Sequence, residues 1–182
     1  MDVFVEPIEA APRLVVFGAG HIAQPTAALA RTVGFDVTVV DDRDELNTED
    51  RFPECQRALV EPPAFLRENA VGARDAALIV THDHGLDERT LDLLVQQRPG
   101  YIGLVGSRRK AIRLLERVAE RRGPLPTDRI YAPVGLDLGA VTPQEIAVSI
   151  VAELVALRHG RPAAHLRDGR LAALPDAESI AP

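Results

Sequence analysis

The chain is short of the residues and runs that would place it in several large classes. A single cysteine, Cys55, among 182 residues excludes an intrachain disulfide and a cysteine-rich metal site. No apolar stretch approaches the roughly 20 residues that span a bilayer. The opening "MDVFVEP" has neither the basic start nor the long apolar core of a secretory signal, so the expectation is a cytoplasmic protein with no membrane partner. Cations are outnumbered, 21 Lys and Arg against 27 Asp and Glu, for a net charge of −6. That balance argues against a nucleic-acid partner, although it leaves room for a local basic site. There is no internal repeat and no recognisable serine–histidine–acid spacing. What is present is 46% apolar and 26% charged, the composition of one soluble globular domain with a sizeable core.

Short β-rich runs alternate with helical segments, which predicts an α/β fold with a parallel sheet covered by helices. "RLVVFG" (13–18) is a continuous apolar strand of the kind buried on both faces. Helical spacing follows over 21–33, then a second strand, "DVTVVDD" (36–42). A short third strand at 57–60 and a helix through "PAFLREN" lead to a fourth strand ending near Thr81 and a helix over 86–97. "YIGLVG" is the fifth strand, 108–122 its helix, and "RIYAP" a short sixth strand. Thr142 to Glu145 spell a capping box with Pro143 at the first helical position, and Ile146, Ile150 and Leu154 give that last helix an apolar stripe. Residues 1–12 read as a lead-in, 13–160 as the domain and 161–182 as a loosely held tail.

"GAGHIA" (18–23) is the G-x-G-x-x-A form of a dinucleotide fingerprint. Gly18 permits a tight turn, Gly20 lets backbone approach a pyrophosphate, and Ala23 lets helix and strand pack closely. It follows an apolar strand, opens a helix, and is followed roughly 20 residues later by an acid at a strand end, Asp41, placed for a ribose diol. The reading is a Rossmann-like, doubly wound parallel sheet in a single domain. Pro25 is a departure that removes an amide early in the helix and is expected to disturb its first turn. Arg43 is placed to hold a phosphate or to lie over a base; Asp42 and Arg43 read equally well as solvated loop residues.

In such a sheet the ligand crevice lies beyond the carboxyl ends of the strands, and several unusual clusters fall there. "THDHGLD" follows the fourth strand, Gly106, Ser107, Arg108, Arg109 and Lys110 follow the fifth, and Gly135, Asp137 and Gly139 precede the last helix. The cations stand in the first turn of a helix, where the dipole is already positive, so a bound anion would complete the site. The alternative is solvated arginines paired with nearby carboxylates. His82 and His84, with His21 or Asp87, raise a metal reading, but an H-x-H pair fixes no geometry. Hydrogen-bond donation to phosphate, substrate or carbonyl is the preferred role for His21, His82 and His84, with no metal assigned. Ser107 reads as a helix cap before a nucleophile.

The blocks "LVVFGAGHIAQPTAALA", "GFDVTVVDDR", "THDHGLDERTL", "YIGLVGSRRK" and "PVGLDLGAVTPQEIAVSIVAEL" together resemble the C-terminal domain of the XdhC/CoxI accessory proteins, from about residue 3 to residue 160. These are maturation factors of molybdenum hydroxylases such as xanthine dehydrogenase and carbon monoxide dehydrogenase. The resemblance implies a Rossmann-like domain that takes part in binding molybdenum cofactor, as molybdopterin or its cytosine dinucleotide. It implies a chaperone that delivers cofactor to an apo-enzyme, often with a sulfur donor, and not an enzyme with turnover of its own. Typical members carry a further N-terminal domain, so a separately encoded first domain is an expected partner. On this reading amides at Gly18 to His21 receive pyrophosphate, Asp41 the ribose diol, and Arg108, Arg109 and Lys110 further negative charge. NAD or NADP would use the same devices. An NAD(P)-dependent oxidoreductase, with His82, His84 or Tyr101 as proton donor and a homodimer completing the site, therefore stays open. So does a non-catalytic nucleotide-sensing role.

Overall fold

Each apolar run forms a strand, and each amphipathic run returns the chain to the starting edge, so that every strand points the same way. The computed structural model describes residues 11–164. In it β1 (Arg13–Phe17), β2 (Asp36–Val40), β3 (Gln56–Ala58), β4 (Ala76–Ile79), β5 (Tyr101–Leu104) and β6 (Ile130–Tyr131) form one sheet in the order β3-β2-β1-β4-β5-β6. All neighbours pair parallel. The helices are α1 (Ala23–Thr32), α2 (Pro62–Glu68), α3 (His84–Gln97), α4 (Arg108–Arg122) and α5 (Pro143–Arg158). This is the doubly wound, Rossmann-like arrangement expected, with its switch point between β1 and β4. Most of the expected lead-in and tail lies outside the described residues.

Strand alternation splits the core across two faces. Leu14 and Val16 of β1 pack with Ala23, Ala27 and Ala30 of α1 and Ile150 and Leu154 of α5. Val15 and Phe17 point the other way, to Leu91 and Leu94 of α3 and Leu114 and Val118 of α4. Each of the larger side chains among these contributes about 1.5–3 kcal/mol on burial, which anchors both helical layers to the same strands. Both edges of the sheet are short, three residues in β3 and two in β6.

The elements end earlier than hydropathy suggests where the chain turns into the crevice. β2 stops at Val40 and β5 at Leu104, so Asp41 and Gly106 lie just beyond the strand ends, the Asp41 amide still donating to the Ala58 carbonyl (3.2 Å). α1 begins at Ala23, and Pro25 does not disturb it. Gln24 donates to the Gly20 carbonyl (3.3 Å) and Thr26 to that of Ile22 (3.2 Å). Proline is tolerated there because a helix start leaves its first amides unpaired in any case. α5 begins as read: Thr142 Oγ1 accepts from the Glu145 amide (3.2 Å) and Glu145 Oε2 from the Thr142 amide (2.9 Å).

Candidate ligand site at the carboxyl edge of the sheet

The turn after β1 is held rigidly from three sides. The Gly18 amide donates to the Val40 carbonyl (2.8 Å), the Ala19 amide to Asp41 Oδ2 (2.7 Å), and Arg51 Nη2 to the Ala19 carbonyl (3.0 Å). Gly18 has φ +122°, and a Cβ there would stand 2.8 Å from the Val80 carbonyl carbon and closer still to its oxygen. Gly20 differs. A Cβ on it would meet nothing within 4 Å, so the chain's own packing does not ask for glycine at this position. Among the described residues the amides of Gly20, His21, Ile22 and Ala23 have no acceptor. The result is a set of oriented donors at a positive helix end, beside open space.

Asp41, beyond β2, has a side chain only 4% exposed, and its carboxylate is engaged on both oxygens. Oδ1 accepts from the Arg43 amide (3.0 Å) and Nε (2.8 Å); Oδ2 accepts from Ala19 and from Arg43 Nη2 (2.6 Å). Burial pushes this carboxyl up, but the Arg43 and Ala19 hydrogen bonds and the guanidinium charge outweigh it and hold it below the ordinary carboxylate value. Asn47, buried beneath, donates to the carbonyls of Ala58 (3.0 Å) and Asp41 (3.3 Å) and so fixes this strand end.

At the ends of β4 and β5 the cation run divides by role. Lys110 reaches inward to Asp87 Oδ2 (2.8 Å), and Asp87, 1% exposed, also accepts from Thr81 Oγ1 (2.6 Å). Ser107 caps α4 through the Lys110 amide (3.3 Å). Arg108 and Arg109 are exposed, with no acidic residue in their turn and no acceptor among the described residues. Farther along the same helix Arg117, Arg121 and Arg122 all reach Glu88 or Asp92 of α3. His21, His82 and His84 are exposed. No group of three or more His, Cys, Asp or Glu comes together as a metal site among the described residues.

Beside Arg108 opens a cavity of about 530 Å³, walled by Gly106, Gly135, Leu136, Asp137, Gly139 and Ser149 among others. Its far wall is tied to the core by a buried carboxylate. Glu153 Oε1 accepts from the Gly135 amide (3.1 Å) and from the Tyr101 hydroxyl (2.7 Å), and Tyr101 stacks on Tyr131 at 4.7 Å. Gly135, at φ +98°, is a position where a Cβ would collide with Ser149. Burial, with the charge and hydrogen bond of Glu153, raises the Tyr101 phenol well above its ordinary value. Because the folded value lies above the unfolded one, this stabilisation is complete below about pH 10 and is lost as pH rises through the folded value. An alkaline titration by tyrosinate absorbance should therefore show Tyr101 ionising only as the fold is lost. Full ionisation of both tyrosines near pH 10 with native circular dichroism would refute this.

The XdhC Rossmann domain family matches residues 14–154. This chain belongs to that family. It is 39% identical over 158 residues to a probable xanthine dehydrogenase subunit of Bacillus subtilis, covering 86% of this chain and 46% of the relative. It is 26% identical over 147 residues to the molybdenum cofactor insertion chaperone PaoD of Escherichia coli, covering 80% and 40%. A crystal structure described as a xanthine dehydrogenase from Bacillus halodurans superposes with a TM-score of 0.74 at 34% identity, over 86% of this chain and 46% of that one. The chain thus spans less than half the length of these relatives.

The XdhC domain brings most of the expected residues to one edge. Parallel neighbours put the exits of β1, β4, β5 and β6 in series, since the Val80 amide donates to Phe17, Val105 to Ile79 and Val134 to Leu104. With strands about 4.8 Å apart, the Gly18 turn and the Gly106 turn stand about 10 Å from one another. Gly106, Arg108, Gly135, Asp137 and Gly139 share the cavity, whereas Gly18, Gly20 and His21 of the turn after β1 and Asp41 and Arg43 after β2 do not line it. Sequence reading missed Arg51, Asn47 and Glu153. Glu153 did leave a signal, a carboxylate inside the apolar run "SIVAELVAL".

Proposed function

We propose that this XdhC domain binds a phosphate-bearing pterin, the molybdenum cofactor, at the carboxyl edge of its sheet and assists its insertion into a molybdenum hydroxylase. The observation that carries the reading is the turn at Gly20 to Ala23, with donor amides lacking acceptors beside space that no side chain fills. Those amides orient a phosphate, and Arg108 and Arg109, at the start of the helix after β5, add charge and bidentate donors. The cavity beside Arg108 has the volume for a ring system, and Arg108 and Asp137 on its wall bring charged groups to it. The names of the Bacillus subtilis and Escherichia coli relatives support the choice of cofactor and partner. A sulfur donor belongs to the same proposal. A nicotinamide reading has less support, because the acid it needs, Asp41, is already fully engaged.

Expression in a host that makes molybdopterin, followed by native mass spectrometry, should show a pterin mass retained by the protein. Arg108→Ala with Arg109→Ala is expected to abolish retention while moving the melting temperature little, or slightly upward, since repulsion at a positive helix end is removed. A large loss of melting temperature with retention unchanged would make the arginines structural. No pterin at any loading, with full activation of the hydroxylase in a deletion strain, would end the proposal.

A further inference from the structure

The turn after β1 and the acid after β2 have the layout of a nucleoside diphosphate site, but only one of its halves is open. We infer that Arg43 is a specificity-determining residue that shuts the nucleoside half, so that the site takes a phosphate-bearing ligand without reading a ribose diol. The inference rests on the proposed function only for the identity of the natural ligand.

A carboxylate offers about four acceptor positions. Asp41 fills four, at 2.6, 2.7, 2.8 and 3.0 Å, and its side chain is 4% exposed. No acceptor position is left for a hydroxyl of a ribose. Three of those bonds come from Arg43 itself, two residues along, so the closure is local and needs no movement of a loop. The guanidinium makes a two-pronged contact, Nε to Oδ1 and Nη2 to Oδ2, a geometry lysine or water cannot copy. Its side chain keeps 26% exposure against 4% for that of Asp41, so solvent reaches the arginine but hardly the carboxylate. The fourth bond, from Ala19, takes one amide of the glycine turn and leaves those of Gly20 to Ala23 open. The phosphate half therefore stays available while the diol half does not. Among pterin cofactors this favours the form ending in a phosphate over its nucleotide conjugates, and it disfavours NAD.

The test compares calorimetric binding of ADP, 2′,3′-dideoxy-ADP and inorganic pyrophosphate to the wild-type chain, Arg43→Ala and Arg43→Gln. The wild type should not distinguish ADP from its dideoxy analogue, and absence of binding by both counts as no distinction. Each variant should gain about tenfold or more for ADP alone, the worth of a charge-assisted hydrogen bond to the freed carboxylate. Pyrophosphate and dideoxy-ADP should be unaffected. A wild-type preference of about tenfold for ADP, or no diol-dependent gain in the variants, overturns the inference. If neither variant keeps native circular dichroism, the wild-type comparison decides alone, equal affinities supporting closure and a diol preference overturning it. Failure of the pterin reading would appear separately, as the missing pterin mass, which these titrations do not touch.

Discussion

Gly18→Ala is expected to destabilise the protein by about 4 kcal/mol, a large fraction of a typical margin of stability. Two costs combine. A non-glycine residue at φ +122° costs roughly 1–3 kcal/mol. Forcing a methyl against the Val80 carbonyl adds about 1–3 more, since backbone on both sides cannot give way cheaply. For a domain of this size the melting temperature should fall by about 8–16 °C. Gly20→Ala is the matched control. Its Cβ meets nothing within 4 Å and its φ is unexceptional, so stability should hold within about 0.5 kcal/mol. Ligand retention should be lost instead, because the methyl occupies the open space in front of the amides. A stable Gly18→Ala, or a Gly20→Ala that unfolds, would reverse the roles assigned to the two glycines.

Lys110→Met should cost about 3 kcal/mol, with a melting temperature lower by roughly 6–12 °C. The lysine is the counter-charge of Asp87, whose side chain is 1% exposed beneath α4, and removing it strands a buried carboxylate with the Thr81 hydroxyl as its remaining partner. Adding Asp87→Asn to that variant should recover part of the loss, because no charge is then left buried. Thermal melts of the single and double variants decide it. Equal melting temperatures for wild type and Lys110→Met would show that Lys110 belongs with its two arginine neighbours as a ligand contact.

This division of "RRK" marks the limit of sequence reading. The strands, helices and glycine turn were legible because their signals are local: apolar runs, a capping box, a glycine pair after a strand. The destination of a long side chain is not local. Lys110 turns inward because Asp87, on the preceding helix, lies under it, whereas Arg108 and Arg109 have no such carboxylate. Spacing puts Asp41 at the end of β2, yet its state depends on a rotamer of Arg43 that spacing does not specify. Arg51 and Asn47 escaped notice for the same reason, since each serves carbonyls of other elements, Arg51 that of Ala19 and Asn47 those of Asp41 and Ala58. Family resemblance reached further than spacing did, and the family match bears the resemblance out.

The short strands at both ends of the sheet bear on assembly. Among the described residues β3 offers three residues of unpaired ladder and β6 two, followed directly by Ala132 and Pro133. Edges of that length give too few main-chain bonds to template a neighbouring strand, and a proline shortly after β6 adds no donor. Continuous sheets shared between copies are thereby disfavoured. For whatever docks on the described domain, the helices and loops offer far more surface than these two short edges, which favours side-chain recognition over extension of the backbone ladder.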